Sequence, residues 1–231
     1  MPATQASVLK GKKIAVLMTD GVEQVEYTAP RTFLEEHGAQ VLLVSPKPKG
    51  SEIQGLRHLS PGDHFKVEMD VRDARPGEFD ALVLPGGVAN PDRLRLSPEA
   101  ITFIREFARE DKPIAAICHG PWTLIDAGIA QGKRLTSWPS LKEDLRNAGA
   151  LWTDAPVVVD GKLVTSRKPD DIPAFDQALL EKLTQGAASS SGEPMQGLGH
   201  EQQGEQDLGP DYNVSESLHN VQDEPGSQLT G

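Results

Sequence analysis

The sequence predicts an α/β domain with a mainly parallel sheet and helices on both faces, followed by an acidic C-terminal tail. Three observations carry that expectation. Runs such as Lys13–Met18, Gln40–Ser45, Phe79–Leu84 and Pro113–Ile117 are almost continuously apolar, as strands buried on both faces are. Segments with helical spacing separate them, and this alternation is the signature of a parallel sheet wrapped by helices. Beyond Gly186 the pattern stops: residues 187–231 hold eight acids and no Lys or Arg.

The elements follow in order. Lys13–Met18 is the first strand, ending in Thr19-Asp20-Gly21. Val25–His37 is a helix that Gly38 stops, with Pro30 expected in its first turns or at a kink. Gln40–Ser45 is the second strand. Ile53–Leu59 and His64–Val71, set among turn residues, read as an inserted hairpin. Phe79–Leu84 runs as a strand into Pro85-Gly86-Gly87. Pro98–Asp111 is a helix with Ile101, Ile104 and Phe107 facing inward. Pro113–Ile117 is a strand, and Trp122–Ala130 a helix with Pro121 in its first turn, where a missing N–H is tolerated. Lys133–Ser137 is a short strand and Leu141–Ala148 a short helix stopped by Gly149. Val157–Thr165 folds into two strands around Asp160-Gly161, a strong hairpin signal. Asp170 or Asp171 caps a last helix through Leu183.

Charge and composition narrow the class. With 34 acids and 23 bases overall, the first 186 residues carry 26 acids and 23 bases, so the acidity belongs to the tail. Residues 186–231 cannot bury enough apolar surface to offset their ordering entropy and read as disordered. Residues 1–11 read as a flexible N-terminus and 12–185 as one domain with a sizeable core. No basic stripe suggests a nucleic-acid partner, and no apolar run is long enough to span a bilayer. The segment Met1–Ser7 lacks the pattern of a secretory signal, so a cytoplasmic location is expected. A single cysteine excludes an internal disulfide and a multi-cysteine metal centre; no metal and no cofactor are expected.

That cysteine is the centre of the functional reading. Cys118 follows an apolar strand and precedes a helix, the nucleophile-elbow arrangement that lifts one side chain above a sheet. Nearby helical N–H groups favour a thiolate there. His119 is placed to carry its proton. Glu23 and Glu26, three residues apart after the first strand, share a helix face, and spacing alone does not choose between them. A carboxyl beside a thiolate must hold a proton to donate to it, because adjacent anions repel. Gly86 and Gly87 let backbone N–H groups approach a substrate and, with the amide of His119, form an oxyanion site. Asp20-Gly21, Gly86-Gly87 and Cys118-His119 all lie at carboxyl ends of strands, where such sheets bind ligands.

These residues match a family pattern. Asp80–Gly87, Pro91–Arg95, Ala116–Pro121, Leu135–Ser137, Asn147–Ala150 and Val157–Gly161 together resemble the PfpI family of intracellular proteases and general stress proteins, within the class I glutamine amidotransferase-like superfamily. The resemblance covers about Lys12 to Leu183. It implies a flavodoxin-like three-layer sandwich, Cys118 as nucleophile, His119 beside it and Glu26 near the sulfur. It also implies an acid from a neighbouring subunit at the position of Asp92, where the family pattern has Glu, and hence a homodimer or larger homo-oligomer. The implied activity is a cysteine hydrolase or lyase of stress response, with a reactive carbonyl or a peptide as substrate. The rival is a redox-sensing or chaperone-like stress protein whose cysteine is oxidised instead of turning over. An amidotransferase domain fits less well, because no histidine follows His119 before the tail.

Overall fold

The structure is a computed structural model that describes residues 8–185. The acidic segment 186–231, read above as disordered, and residues 1–7 of the segment 1–11 read as flexible lie outside the described residues; within the rest of that segment Leu9 is instead fixed, fully buried in the core with its N–H donating to the His37 carbonyl at 2.9 Å. The elements, in chain order, begin with β1 (Lys13–Leu17), β2 (Val22–Glu23), α1 (Gln24–Glu36), β3 (Gln40–Ser45), β4 (Glu52–Arg57), β5 (Ser60–Lys66), β6 (Met69–Asp70) and β7 (Ala81–Leu84). The chain continues through α2 (Ala89–Arg95), α3 (Pro98–Arg109), β8 (Ile114–Ile117), α4 (Trp122–Asp126), β9 (Arg134–Leu135) and α5 (Lys142–Asn147). β10 (Leu151–Trp152), β11 (Val157–Asp160), β12 (Leu163–Ser166) and α6 (Ile172–Gln185) complete it.

The main sheet has the order β11-β12-β8-β7-β1-β3-β6, and all its pairs are parallel except β11 with β12. Its five longer parallel strands thus run β3-β1-β7-β8-β12, the 2-1-3-4-5 order of flavodoxin-like folds. The order reverses between β1 and β7, and a crevice opens beyond their carboxyl ends. Alternation along β1 sends Ile14 and Val16 into one core, with Tyr27 and Leu34 of α1 and Phe175, Leu179 and Leu183 of α6. Ala15 and Leu17 enter the other, against Ile101, Ile104 and Phe107 of α3. These two apolar layers enclose the sheet and make the sandwich three-layered.

Several elements depart from expectation. Pro30 is the seventh residue of α1, so it sits in the helix interior and lacks the N–H that would reach the Glu26 carbonyl. The inserted hairpin exists as β4 and β5, but β5 starts at Ser60, and Met69–Asp70 pairs with β3 in the main sheet instead. Ser60-Pro61-Gly62-Asp63 is tolerated in β5 because that strand is an exposed edge. Arg134–Leu135 pairs with Leu151–Trp152 in a separate two-stranded sheet. α4 stops at Asp126, since Gly128 takes φ +71°. The Asp171 carboxylate pairs with Arg167 at 2.9 Å. No helix among the described residues is long and apolar enough to cross a membrane.

Candidate active site

Three loops meet at the switch point. The loop after β1 is tied to the one after β7 by Glu23 N–H donating to the Gly86 carbonyl at 3.3 Å. Asn90, fully buried in α2, joins the same two loops. Its Oδ1 accepts from Thr19 N–H at 2.7 Å, and its amide donates to the carbonyls of Pro85 at 2.9 Å and Gly86 at 3.1 Å. The Cys118 N–H donates to Ser166 of β12 at 3.0 Å, and its carbonyl accepts from Trp138 N–H at 2.8 Å. Cys118 is thereby held at φ +61°, in the left-handed region that a non-glycine residue adopts only when its surroundings impose it.

Glycines make the approach of these loops possible. A Cβ on Gly86 would lie 2.7 Å from Cys118 Cβ, from Glu26 Oε2 and from the His119 backbone nitrogen. Gly87 adopts φ +75°, and a Cβ there would meet the Gly21 carbonyl at 2.4 Å.

The Cys118 sulfur is 3.3 Å from His119 Nδ1. Cys118 is 6% exposed and His119 8%. The His119 ring stacks on Trp138, with centroids 5.8 Å apart and planes 24° from parallel, and its Nε2 lies 3.4 Å from Ser140 Oγ. Glu26 is wholly buried; its Oε2 accepts the Gly86 N–H at 2.7 Å, and its Oε1 has no partner among the described residues. The carboxyl lies beside the sulfur, and the backbone N–H groups of Gly87 and His119 face it. Gly86 therefore spends its N–H on Glu26, and of the two glycines only Gly87 presents a donor to the sulfur.

Burial sets the charge states. Loss of water pushes Glu26 up to about 8, against the pull of the Gly86 N–H and the Cys118 contact. The carboxyl is therefore protonated at neutral pH and able to donate. Burial pushes the Cys118 thiol up, as does Glu26 in its ionised form, opposed by the Gly87 and His119 N–H groups. Burial lowers His119, which leaves the imidazole neutral and ready to accept a proton.

Of the paired acids, Glu26 reaches the sulfur, whereas Glu23 accepts the His58 N–H at 2.9 Å at the edge of the site. Asp92 lies on the exposed face of α2 and makes no hydrogen bond to His119 within the described chain. Asn90, Trp138 and Ser140 carried no recognisable sequence signal; only the fold brings them to Cys118. A cavity of about 200 Å³ opens over the sulfur, lined by Glu23, Glu26, Gly87 and His119, with Leu59, Val88 and Trp138 at the rim. No group of three or more metal-ligating side chains suited to a metal ion occurs among the described residues.

The doubly wound sheet and a cysteine on a strand-to-helix elbow define an α/β sandwich of the thiol-bearing type. The chain belongs to the DJ-1/PfpI family, whose profile matches residues 12–182. It is 42% identical over 173 residues to protein/nucleic acid deglycase 2 of Escherichia coli K12, covering 74% of this chain and 98% of that protein. It is 42% identical over 176 residues to general stress protein 18 of Bacillus subtilis, covering 74% and 99%. The crystal structure of Drosophila melanogaster DJ-1beta superposes with a TM-score of 0.68 at 29% identity, over 77% of this chain and 96% of that one.

Proposed function

We propose that this protein is a cysteine-dependent hydrolase or lyase acting on reactive carbonyls, either a small dicarbonyl such as methylglyoxal or its adducts on protein side chains. The observation that carries the reading is the 3.3 Å approach of the Cys118 sulfur to a buried, neutral His119, with a protonated Glu26 on the same sulfur. The thiol passes its proton to Nδ1 as sulfur bonds to the carbonyl carbon. The carbonyl π pair moves onto oxygen, and the imidazolium then returns the proton to that oxygen to give a thiohemiacetal. The N–H groups of Gly87 and His119 are the donors nearest the developing charge, and Glu26 supplies a neutral donor where a second anion would repel. The name deglycase in the Escherichia coli relative supports carbonyl adducts as substrates, and the name of the Bacillus subtilis relative supports a stress role.

Two groups are available to orient His119. One is Asp92 of a second copy, the arrangement that the family resemblance implies and that would make a homo-oligomer the active form. The other is Ser140 in the same chain. The primary test compares the wild type with Cys118→Ala on methylglyoxal and on peptides. Turnover of methylglyoxal that falls at least about 1,000-fold in the variant is expected. Equal rates in both proteins would remove the reading, and Cys118-dependent peptide cleavage alone would replace the carbonyl with a peptide bond.

A further inference from the structure

The imidazole of His119 is held on three sides by two short segments. Its Nδ1 faces the Cys118 sulfur at 3.3 Å, one ring face stacks on Trp138, and Nε2 faces Ser140 Oγ at 3.4 Å. Trp138 and Ser140 flank Pro139 in one turn, and that turn is anchored to the nucleophile itself. Trp138 N–H donates to the Cys118 carbonyl at 2.8 Å, and Leu141 N–H closes the turn onto the Trp138 carbonyl at 3.1 Å. Just upstream, Ser137 Oγ accepts from Trp152 Nε1 at 2.9 Å, and Thr136 N–H donates to Thr165 Oγ1 at 2.9 Å. The segment is thereby fixed to β12 on one side and to the cysteine turn on the other. A displacement of Ser140 relative to His119 would have to break these bonds.

We infer that Ser140 is the positioning residue for His119: its hydroxyl accepts the Nε2 proton and so keeps Nδ1 unprotonated toward the thiol. The proton inventory leads to this assignment. A thiol at 3.3 Å needs an acceptor, so the Nδ1 lone pair must face it, and a neutral imidazole then carries its single proton on Nε2. That N–H needs an acceptor, and Ser140 Oγ is the side-chain oxygen within bonding distance of it among the described residues. The opposite tautomer would donate from Nδ1 to the sulfur and leave no base facing the thiol. Ser140 is absent from the lining of the cavity over the sulfur and lines the adjoining one with His119, so it stands on the side of the imidazole away from the nucleophile. The inference rests on the function proposed above, but it gives the orienting role to the chain's own turn instead of to Asp92 of a second copy.

The test joins imidazole ¹⁵N NMR of His119, assigned by the loss of its peaks in His119→Asn, with steady-state kinetics on methylglyoxal. Wild type shows the Nε2-protonated tautomer. In Ser140→Ala the two tautomers mix and kcat falls about 10-fold, with KM held within about twofold. Ser140→Thr, which restores a hydroxyl, recovers both readouts. The assignment is overturned if Ser140→Ala keeps the wild-type tautomer and rate. It is equally overturned if the tautomer is lost in Asp92→Ala and not in Ser140→Ala. Failure of the enzyme reading looks different: Cys118→Ala would then turn over like wild type, while the NMR comparison would still decide the role of Ser140.

Discussion

At the scale of single residues, the site is governed by one proton more than an ionised cysteine would need. Glu26 holds its proton up to about pH 8 because burial disfavours the carboxylate. Above that pH the carboxylate repels any negative charge on sulfur and no longer donates to it. Below the lowered range of His119, the imidazole is already protonated and cannot accept from the thiol. The rate should therefore fall on both sides of neutrality, and the alkaline limb belongs to Glu26. Glu26→Gln retains a neutral donor that does not ionise. It is expected to remove the fall near pH 8 in kcat/KM while keeping the acid limb; an unchanged alkaline limb in that variant would assign it to another group.

At the scale of elements, legibility followed the length of the periodic pattern. The strands beneath the site and the helices α1, α3 and α6 were readable, since each is long enough for burial to impose a period on its sequence. α3 shows all the local signals at once: Ser97 Oγ accepts the Ala100 N–H at 3.2 Å, Pro98 opens the helix and Ile101, Ile104 and Phe107 are buried. Ser97→Ala should cost about 1 kcal/mol in urea unfolding, the usual loss for a hydroxyl cap. α2 was not readable. It spans seven residues, begins with no side-chain cap and contains a proline, yet it delivers Asn90 to the joint between two loops. Cys118, His119, Glu26 and Gly87 were legible because turn chemistry and nucleophile chemistry coincide in their motifs. Trp138 and Ser140 were not, because their distance from Cys118 in sequence is closed only by the sheet and the bonds of Thr136–Leu141.

At the scale of the whole molecule, the two cores differ in what they tolerate. The core against α3 closes on Phe79, Phe103 and Phe107, whose rings meet edge to face at 5.0 and 6.0 Å. The α6 helix, which borders the opposite core, carries Asp176, 4% exposed, with Oδ1 unpartnered among the described residues. Burial pushes that carboxyl up to about 7. A folded-state value above the unfolded one means that the stability it permits is fully present below the ordinary aspartate range and is lost as pH rises through about 7. Asp176→Asn should therefore raise the melting temperature at about pH 8 by ~5–10 °C and by less at about pH 5. A thermal shift independent of pH would show that the gain has another origin. Glu26 imposes a dependence of the same sign, so the molecule as a whole should be sturdier in mild acid than in mild alkali.

The left-handed backbone of Cys118 has a consequence for the history open to this chain. At most junctions, replacing a side chain by hydrogen weakens a protein, since the loosened polymer has more freedom to surrender. Here alanine would inherit the contorted turn, whereas glycine would occupy it at ease. Mutational drift that favoured durability alone would run toward glycine at this one place. A lineage that keeps sulfur there forgoes some robustness in exchange for reactivity, and the bend itself becomes a record of selection for chemistry.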